Sequence, residues 1–538
     1  MQDLIENKSK IFTRNTITCL GIIALAGFLI RLFYFPEGIP ITLDGTLYFW
    51  YANDLSLTGI FPENLSDNLN YSTVPVNNGW PTFLSVFFYF FNSENFLDYM
   101  ALQRYTTTII SVVTIIPVFI LCRKFCGNKL SLIGASLFVF QPRIIENSLS
   151  GLTDPLFILL ELSCLVLFLQ NDFKFKYLSF AFLALACLVR YEGIVLILPL
   201  SFLFIFKNRR DKIIIPRFLI ALSIFLLVLL PMLFVRMDTI GYDGVFSHSI
   251  SGSGSALEVY TVGEKIVDGS EAAFSLIKSA GLAVFPIFFI LLPLGFFAFF
   301  KNRNFDKYTI LLFLVFMLIP VIYVSSRGIT EPRYFLTLFP ILSLFSIYTI
   351  KEITKKFNRS ELILIISVVA ILLASIVYLD YNKSDYEYEL DAYHVGLEVS
   401  KRTSIINDYY PEVKYVHNNV DAVSHLETFP VLSYEIKKQV ELIRTFDYAA
   451  CIRDVELESG CRQYDFPSLN EFISYGKNQG LTHIVADENE NRPQFLKNVF
   501  ESEEKYTYLS KIYDSSEHGY NYHLKIFQID YEKFDSVN

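Results

Sequence analysis

The stretch "IISVVTIIPVFILCRKFCGNKLSLIGASLFVF", residues 109–140, holds two apolar runs parted by a short basic segment, "CRKFCGNK" (122–129). An uninterrupted apolar run of about 18 residues or more is long enough for a helix to cross the hydrocarbon core of a bilayer. Lys and Arg collect in cytoplasmic loops, so a basic segment between two such runs reads as a cytoplasmic turn. Outward from this stretch the pattern repeats. Basic clusters recur at "NKSKIFTR" (7–14), "NDFKFK" (171–176), "KNRRDK" (207–212), "KNRNFDK" (301–307) and "KEITKKFNR" (351–359). Eleven spans put all six on one side: roughly 16–34, 101–121, 129–146, 153–170, 175–190, 191–206, 213–236, 280–300, 308–324, 333–350 and 361–379. The N-terminus is then cytoplasmic and residues 380–538 are extracytoplasmic. One apolar stretch, "PTFLSVFFYFF" (81–91), is about half a span and reads as an interfacial helix. Were it a span, "CRKFCGNK" would face outward.

Composition agrees with this architecture. Hydrophobic residues make up 53% of the 538, charged ones 18%, and Phe alone occurs 52 times; mean hydropathy is +0.40. That excludes an ordinary soluble protein and defines a polytopic α-helical membrane protein. The first apolar run is too long for a signal-peptide core and lacks a small-residue cleavage site, so it reads as a retained helix. Beyond residue 379 there are 29 Asp and Glu against 16 Lys and Arg, which argues against a nucleic-acid partner. Five of the seven cysteines lie in or beside apolar runs, where Cys acts as a small hydrophobe. Cys451 and Cys461 lie in the acidic tail, where a disulfide is plausible if the tail is outside.

This topology gathers on one outer face the loop 35–100, the loop 141–155, the junction "RYEG" (190–193), the loop 237–279, "SSRGITEPRY" (325–334) and the tail. Asp44 in "LDGTLYF" and Asp154 in "GLTDPLF" therefore share a side. Carboxylates near an interface, with arginines at helix ends, suit a lipid-phosphate substrate. Arginine binds phosphate bidentately, apolar helices accept a polyprenyl chain, and a carboxylate can take a proton from an acceptor hydroxyl. The candidate phosphate contacts are Arg190 and Arg333, with Arg143 and Arg327 as weaker ones.

The order "LDGTLYF", "GLTDPLF", "RYEG" and "EPRYFLTLFPIL" resembles the GT-C superfamily of membrane glycosyltransferases, over about residues 10–350. More narrowly it resembles the dolichyl-phosphate-mannose protein mannosyltransferase branch, which includes the aminoarabinose transferases. The resemblance implies Asp44 as catalytic base and Asp154, or alternatively Glu146, as the second acid. It implies an inverting transfer from a polyprenyl-phosphate-linked sugar to a protein or glycan acceptor, with Arg333 or Arg190 stabilising charge on the departing phosphate. Tyr48 and Glu331 complete the expected substrate-binding set. Two departures stand out: Gly45 occupies the place of a second acid common in relatives, and "NNGWPTF" (77–83) lacks the basic or His residue that precedes a Pro-Pro in many of them. An oligosaccharyltransferase of the same superfamily would carry a "WWDYG"-type motif in its soluble part. Both tryptophans here, Trp50 and Trp80, lie in the first outer loop.

Plainer readings stand beside these. Asp44 alone is an ordinary loop carboxylate, and Asp154 before Pro155 is a helix cap. Arg333 could anchor at the interface, Arg190 could pair with Glu192, and Tyr48 and Trp50 could be belt aromatics. None of the histidines, His248, His394, His417, His425, His483, His518 and His523, forms a metal spacing; no cofactor is expected, and a divalent metal is the lesser reading. "NLS" at Asn64, "NYS" at Asn70 and "NKS" at Asn382 are sequons on the outer side.

Residues 1–379 are thus expected to be the transmembrane unit and 380–538 a soluble α/β domain. Its strands are expected at 413–417, 482–487 and 522–530, and its helices at 433–443 and 468–477. The competing function is a transporter or a membrane scaffold. Transporters place ionisable groups at mid-membrane, whereas here the predicted span interiors are almost free of charge, with Glu161 the exception, and the charges gather at one interface.

Overall fold

The computed structural model describes residues 13–41, 44–59, 78–93, 95–241, 243–247, 269–302, 304–326, 330–355, 360–382, 387–388, 390–395, 398, 468–477, 483–488 and 494–537. The expected strand 413–417, the helix 433–443, the Cys451–Cys461 pair, Arg327, and the sequons at Asn64 and Asn70 lie outside the described residues.

The chain is a helical bundle. Its helices in order are α1 (Arg14–Phe33), α2 (Asp44–Thr58), α3 (Gly79–Phe90), α4 (Phe96–Val113), α5 (Ile115–Phe125), α6 (Asn128–Val139), α7 (Pro142–Ser148), α8 (Asp154–Phe168), α9 (Phe173–Val189), α10 (Ile197–Lys207), α11 (Ile214–Ile240), α12 (Gly269–Val284), α13 (Ile287–Phe300), α14 (Phe305–Ser326), α15 (Phe339–Thr354) and α16 (Ser360–Tyr381). Short 3-10 turns, Tyr191–Leu196 and Pro332–Leu338, lead into α10 and α15. Among the described residues, six helices are long and apolar enough to cross a membrane: Arg14–Phe33, Leu97–Phe125, Ile214–Thr239, Phe305–Ser326, Pro332–Thr354 and Leu362–Tyr381.

Six of the eleven expected spans coincide with these helices; the other five, 129–146, 153–170, 175–190, 191–206 and 280–300, fall on shorter, split or bent helices. The stretch 129–146 is split, because α6 ends at Val139 and α7 begins at Pro142, whose ring lacks an N–H and suits a helix start. The stretch 280–300 belongs to a pair, α12 and α13, bent by 102°. Pro286 stands between them, and a proline cannot continue the hydrogen-bond ladder. The expected interfacial segment 81–91 is α3, with Phe83, Val86, Phe87, Tyr89 and Phe90 exposed.

The basic stretches meet at one end. Lys124 and Lys207 both reach Asp306, at 3.4 and 3.0 Å. Lys176 donates to Asn208 Oδ1 at 2.7 Å, and Asn128 to Thr16 Oγ1 at 3.2 Å. Between that end and the opposite one runs a core of aliphatic and Phe side chains, in which α8 packs along α9 and α13 along α15. One charge is embedded in it that the apolar reading of the first span did not foresee. Arg31 is fully buried, donating to Gly27 O (2.8 Å), Val139 O (3.0 Å), Ser148 Oγ (3.0 Å) and Ser111 Oγ (3.1 Å). Four acceptors from four segments offset its desolvation and lock α1 against α4, α6 and α7.

The described part of the tail holds α17 (Leu469–Lys477), β1 (His483–Asp487), α18 (Gln494–Glu501), β2 (Leu509–Asp514), β3 (Leu524–Ile529) and α19 (Tyr531–Val537). The strands form an antiparallel sheet in the order β1-β3-β2, with His483 opposite Gln528 and Leu509 opposite Ile529. β1 and β3 match expected strands; β2 does not, since "LSKIYD" alternates weakly and carries two charges. His483 is buried, and desolvation pushes its imidazole down to about 4. Its folded value lies below the unfolded one of about 6.5. The stabilisation is therefore complete above pH ~6.5 and is lost as pH falls toward ~4. Amide exchange in this sheet, corrected for intrinsic rates, should be faster at pH 5 than at pH 7, and His483→Phe should remove the difference.

Candidate functional site

Two approach segments are tied together before any charged site is built. Arg104 on α4 is buried and donates to Leu149 O and Pro40 O, both at 3.0 Å, and to Ile39 O. One guanidinium thus joins the segment leading to Asp44 with the segment leading to Asp154. The neighbouring Gln103 donates from Nε2 to Gly45 O at 3.0 Å and to Gly151 O at 2.7 Å. Trp80 Nε1 adds a third bond, to Gly151 O at 3.2 Å. Gly151 has φ +70, a conformation that favours glycine, and a Cβ there would also press on Ile41 Cδ1. The backbone at the start of α2, Asp44–Gly45, consequently lies against Ser150 and Gly151, just ahead of Asp154. The same packing accounts for Gly45: a Cβ there would stand 2.4 Å from Ile41 and 3.1 Å from Ser150 O. There is no room at this position for the second acid carried by many relatives.

Asp154 opens α8 with Pro155 behind it and is completely buried. The positive end of the helix dipole favours its charge. Its Oδ1 accepts a hydrogen bond from Arg190 Nη1; its Oδ2 accepts from Asn147 Nδ2 at 3.2 Å and lies 3.9 Å from Arg333 Nε. Arg190 also donates from Nη2 to Glu192 Oε1 at 2.8 Å. Its guanidinium stands 5.2 Å from the centre of the Tyr334 ring, and that of Arg333 stands 5.9 Å from the same ring. Arg190 is held by two carboxylates that fix its plane, which is the preorganisation an anion site needs. Asp154 and Glu192 balance the two guanidinium charges, and Arg333, with its side chain 25% exposed, is the more open of the two arginines.

Below this cluster a narrow cleft runs between α8, the Tyr191–Leu196 turn, α14 and the Pro332–Leu338 turn. Arg190, Glu192, Tyr334, Thr337 and Glu161 supply its polar lining, and Phe157, Phe316 and Met317 much of the rest.

The other expected site residues are placed as follows. Glu146 pairs with Arg143 at 3.0 Å on α7, next to Asn147 but without a contact to Asp154. Glu331 caps the Pro332–Leu338 turn, accepting from Arg333 N at 3.0 Å. Tyr48 is 7% exposed and packs with Ile41, Phe49 and Trp80 in an apolar cluster. The structural parts played by Arg104, Gln103, Trp80 and Asn147 were not anticipated. Arg104 could have been suspected, as the one charge inside the stretch 101–121; Asn147 carries no such signal. Among the described residues no group of three or more His, Cys, Asp or Glu could hold a metal ion.

Close backbone contact also fixes Arg190. A Cβ on Gly79 would fall 2.6 Å from Leu188 C and 2.7 Å from Val189 N, so the start of α3 presses on the last turn of α9. Gly79→Ala must push that backbone away and is expected to cost about 1–3 kcal/mol, as overpacking does. Gly281→Ala, with nothing within 4 Å of its Cβ, serves as the control. Thermal unfolding in detergent should show a lower midpoint for the first variant only.

This bundle, with its acidic helix start and two arginines at one end, has the fold of the GT-C membrane glycosyltransferases. The archaeal oligosaccharyltransferase AglB from Archaeoglobus fulgidus, solved with an inhibitory peptide and a dolichol-phosphate, superposes with a TM-score of 0.55 at 10% identity, over 88% of this chain and 69% of that one. The apo form of the A. fulgidus oligosaccharyltransferase gives 0.54 at 11% identity, with the same coverage. By sequence, the chain belongs to the family described as "Predicted membrane protein (DUF2079)", whose model matches residues 83–444. No curated protein matches it.

Proposed function

We propose that the protein is an inverting glycosyltransferase that moves a sugar from a polyprenyl (dolichyl)-phosphate donor to an acceptor outside the cytoplasm. The observation that carries this reading is the buried Asp154–Arg190 pair with Arg333 beside it, at the mouth of a largely apolar cleft. A polyprenyl phosphate presents the matching chemistry, an anion on an apolar chain. The likeness to AglB, whose solved complex contains a dolichol-phosphate and a peptide, supports a lipid phosphate and a protein or glycan acceptor. In this reading Asp44 takes the acceptor's proton as the acceptor attacks the anomeric carbon. Arg333 and Arg190 stabilise the phosphate as the bond to it breaks. Residues 1–379 form the transferase unit in the bilayer, with the N-terminus cytoplasmic, and 380–538 form an extracytoplasmic α/β domain that covers the site or helps to bind the acceptor.

The test is transfer from radiolabelled polyprenyl-phosphate sugars by the purified protein in liposomes, with membrane extracts as acceptor. Label is expected to move from at least one donor. Failure with every donor would favour the transporter or scaffold reading.

A further inference from the structure

Glu161 takes no part in the cluster around Asp154, yet it faces the same cleft. Seven residues separate the two on α8, which places them on one face, about 10 Å apart along the axis. Glu161 is 3% exposed, its Oε2 has no hydrogen-bond partner, and no salt bridge reaches it among the described residues. It lines both the cleft that holds Arg190 and a second, narrow pocket bounded by Leu165, Phe313, Pro340 and Ile341. The acid therefore stands where the cleft passes from its charged mouth into apolar surroundings.

A buried polar atom without a partner costs several kcal/mol in hydrocarbon-like surroundings, and such a group inside a membrane helix is a functional candidate. A buried carboxyl that no salt bridge reaches is neutralised by taking up a proton. A neutral carboxyl keeps one O–H donor. Facing it across the cleft is Arg190, the residue that an entering phosphate would seek, so an anion held there meets a guanidinium on one side and a carboxyl on the other.

We propose that Glu161, as the neutral acid, donates a hydrogen bond to the phosphate of a polyprenyl phosphate seated against Arg190, and so gives the donor lipid its membrane-side contact. This rests on the reading of the site as a lipid-phosphate site. The shared chemistry is a phosphate; the apolar lining on both sides of Glu161 assigns it to a lipid rather than to a free ion.

The experiment uses the full chain in phosphatidylcholine nanodiscs, titrated separately with undecaprenyl phosphate, undecaprenol and inorganic phosphate. Wild type is expected to bind undecaprenyl phosphate and neither of the others. Glu161→Leu should weaken that binding roughly tenfold or more, the worth of a hydrogen bond to a charged group. Glu161→Gln, which keeps a neutral donor, should stay within about threefold of wild type. Infrared difference spectra should show a protonated carboxyl band shifting when the lipid binds, and Glu161→Gln should abolish that band, which tests the claim without relying on the fold of the Leu variant. If Glu161→Leu binds as tightly as wild type while Arg190→Gln does not, the role of Glu161 is overturned and the phosphate site stands. If wild type binds no undecaprenyl phosphate, both readings are overturned. Binding of inorganic phosphate with the same dependence on Glu161 would overturn the assignment to a lipid.

Discussion

Asp154→Ala is expected to cost about 3–5 kcal/mol of stability, the loss seen when one partner of a buried ion pair is removed. Asp154 is wholly buried, and Arg190, its partner, has a side chain only 6% exposed. Without the carboxylate, Arg190 keeps Glu192, but its Nη1 loses its acceptor and Asn147 loses a bond at 3.2 Å. Asp154→Asn tests charge against shape. It keeps an oxygen for Arg190 and can still begin α8, yet it removes the charge that balances two arginines. Its stability loss should be smaller than that of Asp154→Ala, and its effect on transfer just as severe. Thermal unfolding and transfer measured on the same preparations separate the two. A midpoint unchanged in Asp154→Ala would show that the pair is not the keystone of this end of the bundle.

The second large effect is expected at Asp44. Asn serves a helix start as well as Asp does, so Asp44→Asn should fold and bind lipid as wild type does. As a general base, however, Asp44 would contribute about 10²–10⁴-fold to the rate, and Asp44→Asn should lose most of that while the affinity for donor lipid stays near normal. Full retained activity would remove Asp44 from the mechanism and leave Asp154 as the acid to examine.

These two acids show how far the sequence could be read. The charge rule put Asp44 and Asp154 on one side, and their backbone segments do meet, because Arg104 and Gln103 bind carbonyls on both. Those crosslinks join residues 36–151 through side chains of α4 that periodicity marks only as part of an apolar run. Alternatives left open for Asp154 and Arg190 turn out to be compatible: Asp154 begins a helix and binds arginine, and Arg190 holds Glu192 and Asp154 together. Hydropathy overstated the regularity of the spans, since it averages across the break at Phe140–Gln141 and the bend between α12 and α13. It also passed over Arg31, whose burial depends on acceptors from α4, α6 and α7 that no local pattern reveals. The absence of an acid at position 45 was visible in the sequence, but its cause, the contact with Ile41 and Ser150, required the fold.

The central claim is that the end of the bundle holding Asp154, Arg190 and Arg333 receives a lipid phosphate. Electron cryomicroscopy of the protein saturated with undecaprenyl phosphate tests it most directly. The account predicts elongated density in the cleft between α8 and α14, with its phosphate within hydrogen-bond reach of Arg190 or Arg333. Lipid density confined to the outer surface of the bundle, with this cleft empty, would contradict it.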